Sequence, residues 1–116
     1  MNIDRDAVRR AVLAVTDEDC YGLYEVVWYL RANHMKGASD NDLIKVAREI
    51  VRSLLDDGRV RLVQFRLTPR EVQLIDPGAI DRILERDESW KPPATWNEPY
   101  PSLDSDAKLD QGSDRG

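Results

Sequence analysis

One stretch of the chain combines a long helical pattern with a strand pattern, and it limits the possible folds more than any other feature. Apolar residues recur every three or four positions from Leu43 to Leu54, which is typical of one face of a helix over about 40–56. Gly58 offers a stop for that helix, and residues 59–66 then partly alternate between apolar and polar side chains, as a strand does. The sequence therefore predicts an α+β fold.

Patterns on either side of this stretch complete the predicted architecture of three helices, a small antiparallel β-hairpin and a short fourth helix. Pro69 presets a turn between the hairpin strands, and Asp76 followed by Pro77 is a typical helix start. The further elements are helices over about 5–15 and 21–32, a returning strand over 71–75 and a fourth helix over about 77–86.

The length and composition indicate one soluble domain followed by a tail. The chain has 116 residues, of which 41% are hydrophobic and 34% charged, enough for a single core. We assign residues 1–87 to the domain, 88–102 to an extension rich in proline and aromatic residues that packs on the domain or on a partner, and 103–116 to a disordered acidic tail.

The sequence lacks the features that several classes of protein require. There is no run of about 18 apolar residues and no signal-peptide pattern at the N-terminus, so we expect a cytoplasmic protein without a membrane span. The lone Cys20 and His34 predict no disulfide, no metal site and no cofactor. Neither has an identifiable orienting residue, and no phosphate-binding glycine loop occurs, so we interpret the chain as non-enzymatic.

The sequence Leu54-Leu55-Asp56-Asp57-Gly58-Arg59-Val60 resembles the step from the third helix into the wing of the winged helix-turn-helix superfamily. The resemblance covers about residues 4–75 and includes the order of three helices followed by a hairpin. It implies that the third helix is the equivalent of a recognition helix and that the turn over 66–70 is the wing. Proteins of this fold bind operators or only other proteins, so the fold alone does not fix the function.

A basic middle segment carries the DNA-binding alternative. The whole chain has a net charge of −5, but residues 43–70 hold seven basic and three acidic residues. As a sequence-specific transcriptional regulator, the protein would use basic side chains of the third helix and the wing. The candidate nucleic-acid-binding residues are Lys45, Arg48, Arg52, Arg66 and Arg70.

The extension carries the leading hypothesis, because large aromatic side chains alternate there with prolines. Trp90, Trp96 and Tyr100 are too apolar for a purely solvated tail. They either form a strap over the domain's own helices or bind another protein or a second copy of the chain. We therefore predict a non-catalytic protein-interaction domain, such as a regulatory partner or an immunity-type inhibitor, with these three residues as its partner-binding site.

Overall fold

The structure, a computed structural model, describes residues 3–105 as a mixed α+β fold, which confirms the predicted class. The three long helices are α1 (Arg5–Thr16), α2 (Leu23–Asn33) and α3 (Asp40–Asp56), and a short α4 (Ile80–Glu85) follows the hairpin. The strands are β1 (Tyr21–Gly22), β2 (Val60–Arg66), β3 (Glu71–Leu74) and β4 (Tyr100–Ser105). Single 3₁₀ turns flank α4 at Pro77–Ala79 and Asp87–Trp90.

Local signals at the ends of the helices act as their residue types predict. The Asp4 carboxylate accepts a hydrogen bond from the Ala7 N–H at 3.0 Å, and the Ser39 hydroxyl accepts one from the Asp42 N–H at 3.2 Å. Gly58 ends the turn after α3 with a φ of 72°, a left-handed conformation that favours glycine. The chain thereby leaves α3 and enters β2 within a few residues.

The four strands of the described residues form one antiparallel sheet in the order β1-β4-β2-β3. The last strand in sequence therefore lies between the first two. Leu103 of β4 pairs with Leu62 of β2 on one side and with Tyr21 of β1 on the other. The predicted hairpin of β2 and β3 is present, with Phe65 opposite Val72.

The strand β4 changes the predicted boundary of the tail. Residues 103–105, predicted as the start of a disordered segment, belong to β4, and Leu103 is fully buried. Local composition is acidic there, but pairing with two other strands satisfies the backbone and places Leu103 in the core. The rest of the predicted disordered segment, 106–116, lies outside the described residues.

The main core lies between the helices and the face of the sheet that carries Val60, Leu62 and Leu103. Trp90 fills this core from the segment before β4 and is only 2% exposed. Its indole Nε1–H donates a hydrogen bond to the carbonyl oxygen of Leu84, at 2.9 Å. The aromatic extension is thus anchored on the domain at both Trp90 and β4. Between residues 3 and 105 no helix is long and apolar enough to cross a membrane.

We expect Trp90→Ala to lower the free energy of unfolding by about 3–5 kcal/mol, because it opens a large cavity and removes the bond to Leu84. Trp96→Ala is the matched control, since Trp96 is half exposed, and its effect should be about 1 kcal/mol or less. Chemical denaturation of both variants measures the difference. Equal losses at the two tryptophans would contradict the assigned burial.

Candidate functional site

Five aromatic side chains from distant parts of the chain meet at one end of the sheet, and we name this group the aromatic surface. Tyr24 is its centre: its ring lies 4.8 Å from that of Trp28, 6.2 Å from that of Trp96 and 5.4 Å from that of Tyr100, measured between centroids. Tyr100 also contacts Phe65 edge to face at 5.6 Å. Such tilted and edge-to-face pairs are the favourable geometries for aromatic rings.

The five rings divide into a buried support and an exposed pair. Tyr24, Phe65 and Tyr100 are buried and form a small cluster of their own. Trp28 and Trp96 are 49% and 46% exposed. Two large side chains are therefore presented to solvent while packed against rings that cannot move freely.

The helix α2 and the turn between β2 and β3 place the exposed tryptophans. Trp28 lies one helical turn after Tyr24 on α2, the spacing at which side chains of a helix contact each other. The carbonyl oxygen of Trp96 accepts a hydrogen bond of 3.1 Å from the N–H of Thr68, in the turn between β2 and β3. Leu67, the neighbour of Thr68, is also about half exposed. The surface thus depends on contacts between residues far apart in sequence.

Gly22 allows the buried rings to approach the backbone of β1. A Cβ atom at this position would lie 2.7 Å from Cε1 of Tyr24 and 3.1 Å from Cε2 of Tyr100. The first distance is shorter than real contacts allow, so a larger residue would displace the Tyr24 ring. Glycine is needed at this position because there is no room for a side chain beside the rings.

A half-buried carboxyl group lies beside the tyrosines. Burial raises the pKa of Glu25, although hydrogen bonds from the Gly22 N–H and from Tyr24 lower it in part. Burial, followed by the nearby Glu25 and Tyr29, raises the pKa of Tyr21 to about 12. Burial and the charge of Glu25 also raise the pKa of Tyr24. The tyrosines therefore stay protonated at neutral pH and serve as hydrogen-bond donors.

Two predicted DNA-contacting arginines of the wing are bound within the protein. The Arg70 guanidinium lies 5.0 Å from the centroid of the Phe65 ring and forms an ion pair of 2.8 Å with Asp19, at the border of the aromatic surface. Arg66 pairs with Glu71 at 3.2 Å. Both side chains thus have an acidic partner in the same chain.

The predicted basic face of α3 is partly covered by the segment that contains α4. Arg48 donates through Nε to the Leu84 carbonyl oxygen at 2.7 Å and lies 3.6 Å from the Asp87 carboxylate. Arg52 forms an ion pair with Asp81. Lys45 is exposed. Of the five candidate nucleic-acid-binding residues, four therefore form ion pairs with acidic residues of the same chain, at the surface.

The three predicted partner-binding aromatics have different environments. Trp90 is in the core, Tyr100 supports the aromatic surface from below, and Trp96 is exposed on it. The sequence does not distinguish Trp28 as exposed, because its spacing of four residues from Tyr24 is also typical of two core residues on one face of a helix. One signal in the sequence is available: α2 carries apolar and aromatic residues on nearly every side. A single core covers only part of a helix surface, so some of these residues must be exposed.

Cys20 and His34, considered from the sequence as possible catalytic or metal-binding residues, lie in different surroundings. Cys20 packs against the buried rings, whereas Nε2 of His34 lies 3.3 Å from the Tyr29 hydroxyl. Among residues 3–105 no group of three potential metal ligands occurs.

Comparisons with protein-family models, curated proteins and solved structures found no match for this chain.

We expect Arg48→Ala to lower the free energy of unfolding by about 1–2 kcal/mol, because Arg48 donates hydrogen bonds to two carbonyl groups at the end of α4. Lys45→Ala, an exposed position on the same helix, is the control and should change it by less than about 0.5 kcal/mol. Thermal and chemical unfolding measure both. Equal, small effects would show that Arg48 is not needed to hold α4.

We expect the stability of the wild-type protein to contain a contribution from Glu25 that is lost as the pH rises. The folded-state pKa of Glu25 lies above the ordinary value of 4.5, so its contribution is complete below about pH 4.5 and decreases above it. Glu25→Gln keeps an oxygen for the Gly22 N–H. Its melting temperature should match the wild type at pH 4 and exceed it at pH 7. Parallel melting curves across this range would contradict the assignment.

Proposed function

We propose that this chain is a non-catalytic protein-interaction domain of winged-helix type, which binds another protein through the aromatic surface. The resemblance to winged-helix proteins is supported by the order of elements, in which three helices precede the hairpin and α3 continues through Gly58 into β2. The strand β4 is an addition between β1 and β2. A role as regulatory partner or immunity-type inhibitor fits a domain that acts by occupying a surface of its target.

The observation that carries this proposal is the pair of half-exposed tryptophans, Trp28 and Trp96, on a support of buried rings. Tryptophan is enriched among the residues that contribute most to protein–protein binding. A ring that is already held by its neighbours loses little conformational freedom when a partner covers it. The arrangement therefore favours association over solvent exposure.

The surroundings of Trp28 fit an anchoring side chain of a partner. Trp28 forms one wall of a cleft of about 190 Å³, which is also lined by Ile44, Trp90 and Pro92. Arg31 and Asp40 lie at the same cleft and form an ion pair of 2.8 Å. A cleft lined by both apolar and charged side chains resembles protein interfaces, which combine the two.

The alternative, a sequence-specific DNA-binding regulator, would use the basic residues of α3 and the hairpin. The ion pairs of Arg48, Arg52, Arg66 and Arg70 with acidic residues of the same chain favour protein association, because phosphate groups would have to displace those carboxylates. We retain DNA as the competing outcome of the binding experiment.

We expect Trp28→Ala and Trp96→Ala each to weaken binding of the cognate protein by about tenfold or more, which corresponds to about 1.4 kcal/mol. The partner is first captured from the source cells and then purified, and its affinity is measured by calorimetry. Val15→Ala, an exposed apolar position on α1, is the matched control and should leave the affinity unchanged. Thermal unfolding confirms that each variant is folded.

Two results would contradict the proposal. The first is an affinity that is unchanged in both tryptophan variants. The second is binding to duplex DNA that weakens steeply with salt and with Lys45→Ala, while the tryptophan variants retain it. That second result would establish the DNA-binding alternative.

A further inference from the structure

The strand β3 forms an edge of the sheet, and all four of its residues are exposed. Val72 is 36% exposed and Leu74 is 55% exposed, so two apolar side chains of this short strand face solvent. In the described part of the chain, β3 pairs with β2 on one side only. Its other side is available for a further strand.

The hydrogen-bond pattern shows which backbone groups point away from the sheet. The Ile75 N–H donates to the Leu62 carbonyl oxygen at 3.1 Å, so Ile75 and Leu62 form a hydrogen-bonded pair that continues the register of β2 and β3. Such pairs alternate along an antiparallel ladder. Gln73 therefore bonds to β2, whereas the N–H and C=O groups of Val72 and Leu74 point outward.

The side chains of these two residues share a face of the sheet. Val72 lies opposite Phe65 and Leu74 opposite Val63, both of them buried apolar residues of β2. The outward backbone groups and the exposed apolar side chains thus belong to the same residues. A strand added at this edge would satisfy the former and cover the latter.

Two of the devices that prevent strands from pairing at an edge, proline and lysine, are absent from β3, although the strand is short. Its residues are Glu71, Val72, Gln73 and Leu74, with no proline and no lysine. The one charged residue, Glu71, pairs with Arg66 of β2. This edge can therefore accept another strand.

We propose that β3 pairs with β3 of a second copy of this chain, antiparallel, about a two-fold axis at Gln73. In this register Val72 of each copy lies opposite Leu74 of the other. Four hydrogen bonds form between the outward groups of these residues, and the two sheets become one sheet of twice the strand number. The apolar row from Phe65 through Val72 then continues into Leu74 of the second copy.

The residues of β3 and its flanks favour this register, and they favour a second copy of the chain as the binding partner. If Val72 were opposite Val72 of the second copy, Leu74 would face the charged Arg70; if Leu74 were opposite itself, Val72 would face Asp76. The register centred on Gln73 matches both apolar residues with apolar residues. It also places Arg70 of each copy, which already pairs with Asp19 of its own chain, opposite Asp76 of the other, so the ends of the paired strands carry opposite charges. The edge is thus complementary to itself.

A cysteine at the axis tests the register directly. In a Cys20→Ser background, Gln73→Cys brings two thiols together in a non-hydrogen-bonded pair, where Cα atoms lie about 4.5 Å apart, within the range of a disulfide. The matched control is Val72→Cys in the same background. Its two thiol-bearing residues would be offset by two positions, with Cα atoms about 8 Å apart, too far for a disulfide.

We expect the Gln73→Cys protein to form a covalent dimer under mild oxidation and the Val72→Cys protein to remain largely uncrosslinked. In sedimentation, the wild type should show twice the monomer mass at high concentration, and Val72→Lys combined with Leu74→Lys should show the monomer mass. Leu67→Lys, an exposed position in the adjacent turn, is the control and should keep the dimer.

A wild-type protein that stays monomeric up to about millimolar concentration would overturn the proposal, as would equal crosslinking of the two cysteine variants. Faster crosslinking of Val72→Cys would also overturn it, because the register would then be wrong. The proposed function does not depend on this result. Trp28→Ala and Trp96→Ala should leave the dimer intact, so failure of either proposal is distinguishable from failure of the other.

Discussion

The pairing of β4 between β1 and β2 is the constraint on which the rest of the structure depends. It joins the N-terminal part of the chain to its C-terminal part, because β1 follows α1 and β4 begins within the proline-rich extension. Trp90 holds the segment before β4 in the core, and Leu103 continues that core from the strand itself. Without β4, β1 would have no partner strand and the inner edge of β2 would be open.

The elements that the sequence predicts well are those whose signals are local. Ser39 and Gly58 mark the ends of α3, and the apolar spacing between them defines its buried face. The hairpin follows from the alternation in β2 and the turn at Pro69. β4 has no such signal, since Pro101, Ser102 and Asp104 are typical of a loop. Its conformation comes from two neighbouring strands, which single-sequence patterns do not show.

The difference between local signals and long-range contacts also explains which residues of the candidate site can be predicted from the sequence. The aromatic residues of the extension are visible in the sequence, but burial separates Trp90 from Trp96, and burial depends on tertiary packing. Trp28 belongs to a helix that looks uniformly apolar, so its exposed position follows only from which side of α2 meets the core. The arginines look solvent-facing in the sequence because their acidic partners, such as Asp81 and Asp87, come from α4 and its flanks.

The aromatic surface and the β3 edge both depend on β2 and yet present different chemistry. Phe65 supports Tyr100 on one side and pairs with Val72 on the other, so β2 connects the two regions. At the aromatic surface, binding would come from large rings held in place, which suits a partner of different sequence. At β3, binding would come from backbone groups in a self-complementary register, which suits an identical copy. A dimer formed through β3 would therefore carry two aromatic surfaces and could bind a partner with two sites more tightly than either surface alone.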